Sequence, residues 1–137
     1  MKAGVTSAVV ARLRRESRTP GNDARCARCG YDRSDALVFS DPILCAACDA
    51  RERGVSDIER HHVAGRANSS CTIALDANAH REITVLQARL VPQIVLRNPD
   101  SLVHLRCAAW LYGIAILFIW LAEHLSRHLP TMENEIT

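Results

Sequence analysis

The chain reads as an α+β protein: a small, cysteine-stapled domain followed by a hydrophobic C-terminal helix. Three observations predict this. Two C-x2-C pairs, Cys26–Cys29 and Cys45–Cys48, stand fifteen residues apart. The stretch from Ile58 to Leu90 has the pattern of two short strands feeding a helix, with three histidines in it. The run from Cys107 to Ala122 holds sixteen residues without a charge.

The chain's 137 residues leave room for one modest domain and an appendage. Apolar residues make up 48% and charged residues 23%, which excludes a wholly disordered chain. Four of the six aromatic residues lie between Trp110 and Trp120, so the remainder cannot build a large core and calls for a staple. A net charge of +2 excludes a polycationic nucleic-acid tail. Lys2 is the only lysine. The arginine fork suits phosphate oxygens, although a coding bias toward arginine produces the same pattern.

Residues 1–24 read as a flexible basic arm ending in the loop cluster Thr19-Pro20-Gly21-Asn22-Asp23, with one short helix expected over Val5 to Arg15. The arm's apolar patch, Ala8 to Ala11, is too short for an export signal. A cytoplasmic chain is therefore expected, with its cysteines as thiolates awaiting a metal. Residues 25–91 form the expected domain. Residues 92–101, punctuated by Pro92 and Asn98-Pro99-Asp100, read as a linker to a helix over 102–129, with 130–137 as a tail.

A C-x2-C turn aims two thiolates at one point, and two such turns complete a tetrahedral shell. Cys26, Cys29, Cys45 and Cys48 are thus the expected ligands of a structural Zn2+. Gly30 suits the positive φ that such a turn often requires. Between the pairs, Leu37-Val38-Phe39 and Ile43-Leu44 supply two short strands meeting at Asp41-Pro42. Four sulfur ligands close the shell, so the site holds the fold and admits no substrate.

Further on, Ile58–Val63 and Thr72–Leu75 read as strands, and Asp76 as the N-cap of a helix running to Leu90. His80 then falls in the first turn of that helix, where His61 and His62 can face it. Two imidazoles set for a cation with a third beside them suit phosphodiester hydrolysis. The cation stabilises charge on the phosphate, and a neutral imidazole takes the proton of the attacking water. Arg66 and Arg81 are the expected phosphate contacts. Adjacent strand residues point to opposite faces, so this scheme requires a strand end or a bulge at His61-His62.

The pattern Glu59-x-His61-His62-Val63-x-Gly65-Arg66-x-Asn68, followed by a hydrophobic strand and Asn78-x-His80-Arg81, resembles the HNH motif of the ββα-metal endonucleases. The resemblance covers roughly residues 25–90. It implies that His61 and His80 bind the catalytic ion (Mg2+, Mn2+, Ni2+ or Zn2+) and that His62 is the general base. Two departures stand out. Many relatives close with a C-x2-C-H element, where this chain has Asp76 and Ala79, and its second cysteine pair lies upstream instead. Cys71 occupies the usual place of the asparagine that orients the base, leaving Asn78 or Asn68 as substitutes.

From Cys107 to Ala122 a helix would be about 24 Å long, against the about 30 Å of a hydrocarbon core. Extension from Leu102 to Leu125 admits His104, Arg106, Glu123 and His124. Trp110, Tyr112 and Trp120 suit an interfacial belt. Two readings stand: a membrane anchor, or a helix buried in a homo-oligomer or against a partner. As an inner-membrane anchor, Arg97 and Arg106 ahead of it against Arg127 behind favour a cytoplasmic N-terminal domain. The sequence thus points to a zinc-stapled HNH domain acting as a metal-dependent DNA endonuclease. In a different class, it fits a non-catalytic zinc-binding adaptor for nucleic acid or protein, membrane-tethered or not.

Overall fold

The computed structural model describes residues 23–38, 40–127 and 129. The helix expected over Val5 to Arg15 and the tail 130–137 lie outside the described residues. Two compact units divide the chain, Met1–Asp57 and Ile58–Thr137. The boundary thus falls inside the stretch that composition joins into one domain.

In the first unit, β1 (Leu37–Val38) pairs antiparallel with β2 (Leu44–Cys45), Leu37 opposite Cys45. β1 begins where expected, Phe39 lies outside the described residues, and β2 is shifted one residue toward the C-terminus. A helix that the spacing did not foretell, α1 (Ala46–Glu52), follows β2 at once. Its alanines favour it, and Cys45 caps it, with Sγ accepting from the Cys48 amide at 3.5 Å. Gly54, at φ 69°, receives the chain where the helix ends. The core of this unit is small, formed by residues such as Ala36, Leu37, Leu44 and Ala50 around the cysteines.

The second unit begins with β3 (Ile58–His62), antiparallel to β4 (Thr72–Asp76), with His61 opposite Ile73 and His62 opposite Thr72. β3 ends at His62, and Gly65 turns the chain at φ 81°. Asp76 caps α2 (Ala77–Leu90) as expected, its Oδ1 accepting from the amides of Asn78 at 3.0 Å and Ala79 at 3.1 Å. The segment read as a linker is part of the fold. It contains α3 (Gln93–Arg97), which buries Val95 and ends in the left-handed Asn98 at φ 35°. α4 (Val103–Ser126) then returns across the unit.

The core lies where α4 meets α2 and the end of β3. Ala64, Ile83, Val91, Val95, Ala109 and Ile116 are buried there, flanked by Leu75, Leu86 and Trp120. Gly113 makes the close approach possible: a Cβ on it would lie 2.0 Å from the Val63 carbonyl oxygen. Trp120 Nε1 donates to the buried Glu82 carboxylate at 2.7 Å and fixes the far end of the helix. By length and composition α4 is apolar enough to cross a membrane, and only 17% of its most apolar window is buried in the fold.

Candidate metal centre and histidine pocket

The four thiols of the first unit converge. Cys26, Cys29, Cys45 and Cys48 bring their Sγ atoms within 4.8 Å of one another. Cys29 and Cys45 Sγ are 3.7 Å apart, and all six cysteines of the chain are free. That separation is far too long for a disulfide. It matches the about 3.8 Å edge of a tetrahedron of sulfurs about 2.3 Å from a central zinc. The four close cysteines can hold a structural Zn2+.

Local backbone geometry builds each half of the cage. The first turn closes through Gly30 N–H donating to Cys26 O at 2.9 Å and Cys26 N–H to Tyr31 O at 2.8 Å, with Gly30 at φ 77°. The second half is the first turn of α1, so its amides also face sulfur. Burial pushes the Cys26 thiol up, but amide hydrogen bonds at Cys29, Cys45 and Arg28 outweigh it and bring it down to about 6. Cys48 has no such compensation. Burial and its sulfur neighbours push it up to about 12. A cation is what allows all four to ionise together.

The second unit carries an open cavity of ≈ 230 Å³ lined by Arg60, His61, His62, Gly65, Arg66, His80, Thr84 and Gln87. His61 and His80 meet edge to face, ring centroids 5.4 Å apart. His61 is buried at 4% exposure, and burial with the His80 and His62 rings nearby lowers its pKa from 6.5 to about 4. At neutral pH it is an uncharged imidazole with a lone pair, as a metal ligand must be. The strand-end condition is met, because β3 stops at His62, and both adjacent rings reach the cavity.

His62 is oriented by main chain. Its Nδ1 lies 3.1 Å from the Ser69 carbonyl oxygen. A carbonyl only accepts, so this contact places the proton on Nδ1 and leaves Nε2 basic. His80 is likewise held, its Nδ1 hydrogen-bonded to Glu59. Glu59 and His61 stand two apart on β3, hence on one face of the strand, and that period is the signal that could have found Glu59. Arg60 was also missed. It reaches the cavity while its Nη1 sits 3.4 Å from Thr72 Oγ1.

Other expected residues fall elsewhere. Arg81, exposed on α2, and Asn78, buried in its first turn, are not among the lining residues. Asn68 is a structural hub. Its Nδ2 donates to Ala64 O at 3.1 Å and Val95 O at 2.9 Å, while its Oδ1 accepts from Asn98 Nδ2 at 3.0 Å. These bonds tie it to the 64–69 turn, α3 and Asn98, and it is not among the residues that line the cavity. Cys71 is exposed just before β4, its amide donating to Ser69 Oγ at 3.0 Å.

The fold and sites define a small α+β protein with a four-cysteine cluster and a long apolar C-terminal helix. No protein-family model matches the chain, and neither does any curated protein or solved structure.

Proposed function

We propose that the histidine pocket is the active site of an HNH-type, metal-dependent endonuclease that hydrolyses DNA phosphodiester bonds. The observation that carries this reading is the His62–Ser69 hydrogen bond. It leaves a basic Nε2 on a ring that lines the same cavity as two further imidazoles and two arginines. His61 and His80 would hold a divalent ion, whose chemistry is charge stabilisation on the scissile phosphate and the leaving oxygen. His62 Nε2 takes a proton from water as the water oxygen attacks phosphorus. The P–O bond to the leaving sugar oxygen then breaks, and that oxygen acquires a proton from solvent. Arg66 and Arg60, which line the cavity, would contact the phosphate. Arg81, on the exposed surface of α2, would contact flanking phosphates.

Supercoiled plasmid incubated with the full chain and Mg2+, Mn2+ or Ni2+ tests the reading. Nicking by the wild type should vanish in His62→Ala while zinc content and circular dichroism stay unchanged. No cleavage by a folded wild type, or equal cleavage by His62→Ala, overturns it in favour of the non-catalytic adaptor. Native mass spectrometry adds a second readout. A labile divalent ion beyond the thiolate-bound zinc should be present in the wild type and lost in His61→Ala.

A further inference from the structure

We propose that α4 is the homodimerisation element of this protein, pairing its uncovered apolar face with the same face of a second copy of the chain. One stripe of the helix, running through Ala109, Gly113, Ile116 and Trp120, is docked on its own unit. About 150° around the helix, at 100° per residue, lies a second stripe: Leu111, Ile114, Phe118, Leu121 and Leu125. These five are exposed by 70, 43, 68, 43 and 55%. They recur at spacings of three and four, the repeat that seats side chains between those of a facing helix.

Charge is sorted to match. Arg106, Glu123 and Arg127 fall within about 60° of the docked stripe, where they flank the fold. The opposite half of α4 carries no Asp, Glu, Lys or Arg along its whole length. With Val103 on the same face, the open stripe leaves roughly 600 Å² of apolar surface uncovered, the low end of what each partner of a specific interface buries. A self-complementary stripe closes on a two-fold axis and leaves no further edge.

A lipid occupant fits less well. Gly113, at the middle of α4, is pressed against the Val63 carbonyl, and Trp120 is bonded to Glu82. A spanning helix would therefore carry β3 and the charged surface of α2 to the depth of the hydrocarbon, where ionised groups are costly. A helix lying on a membrane surface wants cations along the rim of its apolar face and no particular repeat. Here Arg106 is the only Lys or Arg within α4, and the stripe keeps the three-and-four repeat of a protein partner.

The test is sedimentation equilibrium of the full, zinc-loaded chain in detergent-free buffer over two decades of concentration, with vesicle flotation alongside. The expected species is a discrete particle of twice the 15.2 kDa chain mass that does not float with phosphatidylcholine–phosphatidylglycerol vesicles. Phe118→Glu should weaken self-association at least about a hundredfold while circular dichroism is unchanged. Leu111→Gln, at the most exposed position, should weaken it in the same direction and guards against misfolding of the first variant. A particle of one chain mass at all concentrations overturns the proposal. So do a polydisperse aggregate, a requirement for detergent, co-flotation with vesicles, or a dimer indifferent to both substitutions. Nicking is not read, so the result is independent of the active-site reading.

Discussion

At the residue scale, His61 ties the pocket to pH. In the unfolded chain its ring protonates near 6.5, in the folded chain only near 4. Above 6.5 both states are neutral and folding carries no proton penalty. Between those values the unfolded chain binds the proton first, so stability is lost as pH falls through the window. Amide exchange of β3 and α2, followed across that window, should show the loss, and His61→Gln should flatten it. The asparagine pair behaves differently. Asn68→Ala leaves the Ala64 and Val95 carbonyls without their side-chain donor and should cost about 2 to 3 kcal/mol in urea unfolding. Asn98→Ala should cost a similar amount, and the double variant less than both together, because the two side chains share one bond.

At the scale of elements, two close approaches decide the second unit. α2 begins at Asp76, whose carboxylate takes two amides, and Asp76→Ala should destabilise by about 1 kcal/mol without altering the zinc site. α4 sits where it does because residue 113 has no side chain. Gly113→Ala places a methyl group 2.0 Å from the Val63 oxygen, and the helix must shift bodily. That substitution should cost about 3 kcal/mol or more and raise amide exchange in α4, despite alanine's better helix propensity. The opposite response, a stabilised helix, would mean that α4 does not cross Val63 at all.

At the scale of the whole molecule, the two units rest on different forces. The second has a connected apolar core running from Ala64 through Ile83 to Ile116. Among the described residues the first unit buries few large apolar side chains, and its thiol cage includes Cys48, which burial and its sulfur neighbours push up to about 12. Removal of the metal should therefore unfold the first unit and spare the second. Chelation followed by two-dimensional NMR checks this. Resonances of residues 26–52 should collapse while those of β3, β4 and α2 persist, and Cys26→Ser should give the collapsed pattern outright.

Much of this was legible in residue order because the signals are local. A C-x2-C turn aims its own two sulfurs, Asp76 caps the helix it precedes, and the alternation of a hairpin that ends at His62 is set within a few residues. Composition alone likewise marks Cys107–Ala122 as a long apolar helix. What distant segments do to one another was not legible. The carbonyl that orients His62 comes from a loop seven residues on, Asn68 is engaged by α3 and Asn98, and the supposed linker folds because Val95 finds the core. Which stripe of α4 is covered, and which is left for a partner, depends on Gly113 meeting Val63 across fifty residues of chain. Such contacts are fixed by packing in three dimensions, and side-chain identity along the chain does not encode them one position at a time.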